Sequence, residues 1–364
     1  MVELDQFIEA LGQVLPSIDY DPPFEETYKA LFQDYKLSFL KPKVLSNDIL
    51  SSTDVVIEQC ELPLIDLSRL NNEVQVEREE CMVEMAKAST EWGFFQVVNH
   101  GVSREVLDAM RTEQMKLFRE PFYKKVENDK YMNMSKGSYR WGTPTAASLD
   151  QLSWSEAFHI LMTDAPRLAG TASLRLTMKE FSTHIFELAQ RLAKILAQRL
   201  GQESTFIEEN CLPNTCYIRM NRYPPCPRYS QLFGLMAHTD SDFLTILHQD
   251  EVGGLQLVKD GKWIAVKPNP DALIVNIGDL FQAWSNGTYK SVEHRVVANA
   301  KTERFSTAFF LCPSINTVIE SCKEPSVYRK FSFKEFRQQV EDDVRNHGRK
   351  IGLSRFLGTL ACEV

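Results

Sequence analysis

The pattern of hydrophobic positions changes its period between the two halves of the chain. In the N-terminal half, apolar residues recur every three to four positions, most clearly over 173–200, which predicts a long helix closed by Gly201. From Cys216 to Pro313 the period becomes two, as in strands. Turn signals separate eight short runs rich in Val, Ile, Leu, Phe and Thr: CYIRMNRY, FGLMAHTD, FLTILHQ, GLQLVKD, WIAVKP, ALIVNIG, SVEHRVV and RFSTAFFLC. This succession predicts an antiparallel double sheet or jelly roll.

Shorter signals place further elements around this β-rich half. Residues 62–66 (LPLID) suit a short strand, and the apolar run FFQVV at 94–98 suits a buried one. Ser103 can cap the helix that follows, and Pro121 should end or kink that helix. A last helical stretch begins at Phe333. The predicted fold class is therefore mostly β with flanking helices, built on a double-stranded β-helix (jelly-roll) core.

Changes in patterning indicate four regions. Residues 1–60 are weakly patterned, and we interpret them as a loosely attached leader. An N-terminal α/β region over residues 61–210 should pack on the core. The jelly-roll core spans residues 211–320, and a C-terminal helical segment over residues 321–364 closes the fold.

Composition and charge exclude several classes of protein. Of the 364 residues, 43% are hydrophobic and 25% are charged, which are ordinary globular values and exclude wholesale disorder. The net charge is −8, and no Lys/Arg cluster offers the basic face that nucleic-acid binding requires. No run of 18 apolar residues is present, so no membrane span is expected.

The expected location follows from the N-terminus and the cysteines. The first 20 residues are acidic and periodic, unlike a signal peptide. The eight cysteines are scattered without a CxxC pair, which is typical of reduced thiols. We therefore expect a cytoplasmic protein, with the nucleus as a further location.

Two H-x-D motifs are candidates for metal binding among the seven histidines. They are His238-Thr-Asp240 and His248-Gln-Asp250. On a strand, residues i and i+2 point to the same side, so each motif would aim an imidazole and a carboxylate at one point. His294, in the run SVEHRVV, is the available third ligand. The remaining histidines lack a partner at ligand spacing, and we interpret them as surface or core residues: His100, His159, His184 and His347.

A guanidinium and a hydroxyl follow His294 at a spacing that suits anion binding. Residues 294 and 304 are equidistant from Asn299, so a hairpin turning there would place Arg304 across from His294. Ser306 would share the face of Arg304. Such a pair beside a metal suits a bound dicarboxylate, which a zinc hydrolase does not need. Two histidines, one carboxylate and open positions are typical of a facial triad for non-haem Fe(II).

These motifs together resemble the 2-oxoglutarate-dependent dioxygenases of plants. The resemblance lies in H-T-D, then 53 residues, then His294, then R-F-S ten residues further on. NRYPPCP at 221–227 and VGGLQL at 252–257 are similar to strings of that family, and the resemblance covers roughly residues 60–357.

The resemblance implies roles for individual residues. It implies that Fe(II) is bound by His238, Asp240 and His294. It implies that the distal carboxylate of 2-oxoglutarate is held by Arg304 and Ser306, and that this cosubstrate also contacts Tyr223 and, with less support, Asn221. The motif His248-Gln-Asp250 does not fall at a ligand position of the family, and no separate acid–base residue is expected.

Further strings are similar to the gibberellin 2-oxidases, and in particular to those acting on twenty-carbon gibberellins: GSYRWGTP (137–144), LSWSEAFHI (152–160), HTDSDFLTIL (238–247) and GDLFQAWSNGTYKSVEHRV (278–296). The resemblance implies 2-beta-hydroxylation of a gibberellin, which inactivates the hormone. Its cosubstrates would be 2-oxoglutarate and O2, its reductant ascorbate, and its co-products succinate and CO2 from a reaction through a ferryl intermediate.

The segment SYRWGTP is the candidate wall of the prime-substrate pocket. A gibberellin is a rigid apolar skeleton with at least one carboxylate, so its pocket needs aromatic walls and a cation. On a strand, Tyr139 and Trp141 share one face while Arg140 points to the other. Both faces could reach the pocket only if Gly142 or Pro144 bent the segment. This hypothesis describes an irregular lid whose Arg140 meets the substrate carboxylate.

Two alternatives remain open from the sequence. One is a dioxygenase of the same fold that acts on another gibberellin position or on a flavonoid-like substrate. The other is a non-catalytic jelly-roll hormone-binding protein, although such a protein has no use for a cosubstrate anchor. In each case the partner is a small molecule, and the sequence does not indicate the oligomeric state.

Overall fold

Two sheets form the centre of the molecule. The computed structural model describes residues 20–38, 57–127, 138–168, 171–228 and 232–358. Its strands are β1 (Gln59–Cys60), β2 (Leu64–Asp66), β3 (Phe94–Val98), β4 (Tyr139–Trp141), β5 (Glu156–Leu161), β6 (Tyr217–Tyr223), β7 (Phe233–His238), β8 (Leu244–Gln249), β9 (Leu255–Lys259), β10 (Lys262–Val266), β11 (Leu273–Ile277), β12 (His294–Val297), β13 (Arg304–Leu311), β14 (Val318–Ile319) and β15 (Phe331–Ser332).

The large sheet has eight strands in the order β2-β3-β11-β8-β13-β6-β5-β4, and the small sheet has five in the order β1-β10-β9-β12-β7. All eight strands predicted between Cys216 and Pro313 are present, as β6 to β13. Four of them (β6, β8, β11 and β13) lie in the large sheet and four (β7, β9, β10 and β12) in the small one, as in a double-stranded β-helix, which confirms the predicted fold class.

Helices surround this core. They are α1 (Phe24–Thr27), α2 (Lys29–Ser38), α3 (Gln75–Glu91), α4 (Arg104–Phe118), α5 (Phe122–Val126), α6 (Ala172–Arg199), α7 (Thr205–Asn210), α8 (Asp279–Trp284) and α9 (Phe333–His347). The predicted cap of α4 is present, since Ser103 accepts a hydrogen bond from the Val106 N–H. The helix ends at Phe118, before Pro121, as predicted. No helix in the described ranges is long and apolar enough to cross a membrane.

The long helix α6 braces the large sheet from behind. Its apolar stripe, which includes Leu174, Phe181 and Ile185, is buried and contacts β8 and β13. The helix begins at a Thr171 cap, and Gly201 follows it with a φ of 75°, a conformation that glycine adopts without steric cost. The brace leaves the opposite face of the large sheet free to meet the small sheet.

The space between the sheets holds both apolar and polar side chains. Leu255, Leu257 and Val266 of the small sheet pack against Ile274 and Leu247 of the large one. Thr245 and Gln249 lie on the same face of β8 as Leu247, on either side of it, so the polar side chains that could bind ligands also lie between the two sheets.

The predicted hairpin between His294 and Arg304 is wrong. Strand β12 pairs with β7 and β9 in the small sheet, whereas β13 pairs with β6 and β8 in the large one. The chain therefore crosses from one sheet to the other after Val297. Arg304 lies opposite Tyr223, not opposite His294.

The described part of the predicted leader is attached to the core. Phe24, Tyr28 and Phe32 are buried, and Phe24 stacks on Trp154 with ring centroids 4.4 Å apart. The Tyr28 hydroxyl accepts a hydrogen bond from the Thr143 N–H at 2.8 Å. Residues 20–38 therefore belong to the folded unit, contrary to the interpretation of a loose attachment.

The predicted boundary between residues 210 and 211 falls inside one packed unit. Strand β5, which precedes this boundary, pairs with β6, which follows it, over six residue pairs from Glu156–Arg222 to Leu161–Tyr217. The division of the chain into regions stays a prediction, and the large sheet is continuous across it.

Candidate active site

The strands β7 and β12 bring two histidines together. His238 ends β7 and His294 begins β12, and the two residues are partners in the antiparallel register. Their rings lie 4.4 Å apart, centroid to centroid. Each Nδ1 lies within hydrogen-bond distance of a backbone carbonyl, Met236 O at 2.8 Å and Val292 O at 3.0 Å. Because a carbonyl only accepts, Nδ1 carries the proton and the Nε2 lone pair is left to bind a metal.

Asp240 completes the set from a loop. It lies two residues beyond the end of β7, so the strand alternation that predicted its direction does not apply. Its Oδ1 nevertheless lies 3.7 Å from His238 Nε2 and 3.8 Å from His294 Nε2. Its Oδ2 accepts hydrogen bonds from Thr245 at 2.7 Å and Asn276 at 2.8 Å, both on the large sheet. These bonds, not the strand, aim the carboxylate.

The protonation states suit a divalent cation. Desolvation and the neighbouring His294 lower the pKa of His238 to about 3, so its imidazole is neutral at physiological pH. Burial alone would raise the pKa of Asp240, but the two histidines and the bonds from Thr245 and Asn276 lower it to about 2. The ligand atoms of His238, Asp240 and His294 lie within 4.8 Å of one another, the one such group in the described ranges. A neutral imidazole beside an ionised carboxylate is ready to bind metal without losing a proton.

A buried arginine lies next to this group on the large sheet. Arg304 is 2% exposed, stacks over Tyr223 at 4.9 Å and donates to Gln249 Oε1 at 2.7 Å. Ser306, two residues along β13, lies opposite Asn221, whose amide donates to its hydroxyl at 3.3 Å. The structure therefore brings together all four residues that the sequence assigned to a cosubstrate.

Unsatisfied donors mark this place as an anion site. The Nε and Nη1 of Arg304 and the Nε2 of Gln249 are buried without a hydrogen-bond partner. Buried donors are rarely left without a hydrogen-bond partner. A carboxylate accepting from Arg304 and Gln249 would satisfy both, so the residues fit the distal carboxylate of 2-oxoglutarate.

The inner face of the large sheet extends from this anion site across β5 to the edge strand β4. Partners in register share a face, and one row runs from Ser306 through Asn221 and Ala157 to Arg140. Two residues along β6, Arg219 pairs with His159 and donates from Nε to Asn221 Oδ1 at 2.7 Å. Two arginines therefore lie on the face that carries the candidate cosubstrate residues.

An aromatic surface lies beside these cations. Tyr217 is stacked between Phe310, at 4.5 Å, and His159, at 5.8 Å. Burial, together with the charges of Arg219 and Arg140, holds the pKa of His159 well below its usual value, so the ring is neutral. His159 therefore lies largely buried on the inner face of the large sheet, beside Tyr217 and Arg219.

The other sequence candidates point elsewhere. His248 lies opposite Thr307 on the outer face of the large sheet, toward α4, so discarding its H-x-D motif agrees with the geometry. Tyr139 is buried on that same outer face, where its hydroxyl bonds to Glu156. Trp141 packs edge-on against Phe24 at 5.5 Å. Tyr139 and Trp141 thus share one face and Arg140 points to the other, as the alternation predicted, and the segment 139–141 is a regular strand.

Several residues around the site were not found from the sequence. Gln249, Thr245 and Asn276 face the interior, and Arg219 lies with them. The period of two could have found Gln249, because it alternates with His248 and so must face the opposite side. No local pattern could have linked Asn276 to Asp240, because the bond crosses between the sheets.

A jelly roll with this group between its sheets defines a class of protein, the 2-oxoglutarate- and Fe(II)-dependent oxygenases, and comparison with known families agrees. Residues 214–313 match the 2OG-Fe(II) oxygenase superfamily. Residues 62–176 match the model described as non-haem dioxygenase in morphine synthesis N-terminal. The enzyme therefore uses Fe(II) and 2-oxoglutarate.

Similar proteins of known name indicate which family of these oxygenases the chain belongs to. Gibberellin 2-beta-dioxygenase 8 of Arabidopsis thaliana is 58% identical over 93% of this chain and 98% of its own length. Gibberellin 2-beta-dioxygenase 6 of Oryza sativa subsp. japonica is 48% identical, over 93% of this chain and 96% of its own. The chain belongs to the gibberellin 2-beta-dioxygenase family.

Solved structures share the fold. A crystal structure of JOX2 in complex with 2OG, Fe and JA is 32% identical, with a TM-score of 0.69 over 88% of this chain and 97% of that one. The rice dioxygenase for auxin oxidation is 29% identical, with a TM-score of 0.68 over 82% of this chain and 100% of that one.

Proposed function

We propose that His238, Asp240 and His294 hold Fe(II), leaving further coordination positions open. The proposal is supported by the convergence of their ligand atoms and by the suitability of two imidazoles and one carboxylate for non-haem iron. Iron bound there with 2-oxoglutarate and O2 would supply the oxidation of a substrate C–H bond, with ascorbate as reductant and succinate and CO2 as co-products.

The cosubstrate is held by the large sheet. Arg304 and Ser306 bind the distal carboxylate of 2-oxoglutarate, and Tyr223 packs against the guanidinium. Asn221 keeps the Ser306 hydroxyl in place through the bond at 3.3 Å. The supporting observation is the pair of unsatisfied Arg304 nitrogens. The protein contributes binding, orientation and exclusion of water, and it needs no acid–base side chain.

The reaction is 2-beta-hydroxylation of a gibberellin, which inactivates the hormone. The observation that carries this proposal is the 58% identity, over nearly the whole chain, to a protein named gibberellin 2-beta-dioxygenase. We infer a preference for twenty-carbon gibberellins from the strings around SYRWGTP. The seven cysteines in the described ranges are free thiols, which suits a cytoplasmic or nuclear location.

The prime substrate lies against the inner face near β4, β5 and β6. Its carboxylate meets Arg219 or Arg140, and its apolar skeleton lies on the wall of Tyr217, Phe310 and His159. The register supports this placement, because these side chains share the face that carries the cosubstrate residues. The Tyr139 and Trp141 side chains of β4 pack on the outer face of the sheet, away from the substrate.

Product analysis tests the proposed function. The purified protein would be incubated with Fe(II), ascorbate, 2-oxoglutarate and, separately, twenty-carbon gibberellins, nineteen-carbon gibberellins and a flavonoid. We expect 2-hydroxylated gibberellin by mass spectrometry, with faster turnover of the twenty-carbon compounds. Hydroxylation at another carbon, or of the flavonoid alone, would favour the same-fold alternative. Gibberellin binding without consumption of 2-oxoglutarate would favour the hormone-binding alternative.

A further inference from the structure

A lysine from the C-terminal segment reaches the loop that carries Asp240. Lys350 lies three residues after the end of α9, and its side chain is only 10% exposed. Its ammonium group contacts Asp279 Oδ2 at 2.7 Å, the Thr239 carbonyl at 2.9 Å and the Ser241 hydroxyl at 2.7 Å. An ammonium has three protons to donate, and all are used. Two of the three acceptors flank Asp240 in sequence.

Asp279 connects the same lysine to both strands that supply histidines. Its Oδ2 accepts from the Thr239 hydroxyl at 3.2 Å, next to His238 and Asp240. Its Oδ1 accepts from Ser291 at 2.6 Å, three residues before His294. Its backbone N–H donates to the Asp240 carbonyl at 2.9 Å. One 3% exposed carboxylate thus ties together the chain segments of all three ligands.

The C-terminal segment is shaped to deliver Lys350 to this position. Asp343 on α9, 1% exposed, accepts from the Ile351 N–H at 3.2 Å and from Arg355 at 3.0 Å, which fixes the turn around the lysine. Gly352 has a φ of 74°, and a Cβ there would lie 3.1 Å from Asp279 Oδ2 and 3.3 Å from Lys350 Cε. The close approach leaves little room for a side chain at residue 352.

We propose that Lys350 and Asp279 form a clamp that holds the His238–Asp240 loop and the start of β12 in metal-ligating geometry, which makes the C-terminal segment part of the metal site. The need for a clamp follows from the position of Asp240 beyond the end of β7, where no ladder of strand hydrogen bonds fixes it. Both residues are positioning residues, because they act through the backbone and not on the metal. The inference rests on the proposed function, since it takes the three side chains as metal ligands.

A charge-neutral double variant tests the clamp. Lys350→Met with Asp279→Asn removes the ion pair without leaving a buried charge, and Lys330→Met with Glu320→Gln removes an exposed pair from the same segment as a matched control. Metal-free proteins would be titrated calorimetrically with Mn²⁺. Loss of a residue that orients metal ligands typically weakens metal binding by about 10–100-fold. We expect a loss of that size in the clamp variant, none in the control, and little change in the KM for 2-oxoglutarate, which is held by the other sheet.

These measurements distinguish a clamp that positions the metal ligands from a role in stability alone, and they test the metal site separately. Thermal unfolding of each metal-free protein reports the fold, and an Mn²⁺ affinity within about twofold of wild type would overturn the clamp. If the double variant does not fold, Thr239→Val and Ser291→Ala decide in its place, since each removes one hydroxyl from Asp279; unchanged affinity in both would overturn the proposal. Asp240→Ala is titrated alongside, and Mn²⁺ binding retained by that variant would overturn the metal site and not only the clamp.

Discussion

Individual residues act in this site through the face of the sheet on which they lie. The interior carries Thr245 and Gln249 of β8, while His248 between them faces outward. Two H-x-D motifs within a few residues of each other therefore have opposite orientations relative to the site. The sequence pattern identifies both motifs as candidates for metal binding, but only the register of the sheets distinguishes them.

The first prediction separates these motifs. Asp240→Ala should abolish metal binding and turnover, because it removes the one anionic ligand and leaves only the two imidazoles. His248→Ala should retain both properties, because that ring lies on the opposite face. Iron content after anaerobic loading and desalting measures the difference. If His248→Ala lost its iron while Asp240→Ala retained it, the metal site would belong to the second motif and our assignment would be wrong.

The second prediction concerns the anchor of the cosubstrate. Arg304→Lys keeps the positive charge but loses the planar fork, so we expect the KM for 2-oxoglutarate to rise roughly tenfold to a hundredfold, the equivalent of a charge-assisted bond of about 1.5–3 kcal/mol. The KM for gibberellin should change much less. Steady-state kinetics with each substrate varied in turn gives both values, and equal increases would contradict a role confined to 2-oxoglutarate.

The third prediction concerns the arginines of the inner face. Arg219→Gln and Arg140→Ala should each raise the KM for gibberellin, and the larger effect is expected for Arg219, which is less exposed and fixed by Asn221. Decarboxylation of 2-oxoglutarate without gibberellin should stay near the wild-type rate. Arg345→Gln, on the exposed surface of α9, is the control. Unchanged gibberellin kinetics in both variants would remove the carboxylate subsite from this face.

Among the elements, the strands were the most predictable and their pairing the least. Alternation located β6 to β13 because each has one face toward the interior. The supposed hairpin failed because equal spacing about a turn shows that the chain reverses, not which sheet each arm joins. The dipeptide Asn286-Gly287 shows a related limit, because its sequence is typical of a hairpin turn. Its φ values of 55° and 75° suit a tight turn, but it follows α8 and joins no two paired strands.

The N-terminal helices were missed because their contacts are distant in sequence. Asp21 pairs with Arg222, and the Tyr20 carbonyl accepts from Lys125. Both cations also bond to Glu156, the first residue of β5, whose side chain is fully buried. This cluster joins the N-terminal segment to the outer face of the strands that carry the proposed substrate wall, which no local pattern encodes.

The fourth prediction tests that cluster. Glu156→Gln removes the carboxylate that Lys125 and Arg222 share, and breaking a buried ion pair from one side costs about 3–5 kcal/mol. We expect the free energy of unfolding to fall by that order. Glu208→Gln, which removes an exposed partner of Lys194, should cost at most about 1 kcal/mol. Urea unfolding followed by circular dichroism measures both, and equal losses would show that Glu156 gains nothing from its burial.

For the whole molecule, both ends of the chain contribute to a site whose ligands lie in the middle. Phe24, Tyr28 and Phe32 pack against Trp141 of β4, behind the proposed substrate face, and Lys350 reaches Thr239 across 111 residues of sequence. The sequence could predict the jelly roll from the alternation of its strands. It could predict the proposed metal and cosubstrate residues from short motifs that resemble those of a known family. It could not predict the clamp or the N-terminal support, because their contacts arise only when distant segments pack.

A mass balance of the complete reaction tests the proposed 2-beta-hydroxylation of gibberellin most directly. Wild-type protein with Fe(II), ascorbate, 2-oxoglutarate and a twenty-carbon gibberellin should form one succinate for each 2-beta-hydroxylated gibberellin, and ¹⁸O₂ should label the new hydroxyl. Asp240→Ala, run in parallel, should form neither product. Two results would contradict this proposed reaction. One is release of succinate without any hydroxylated gibberellin, and the other is a hydroxyl on a carbon other than carbon 2.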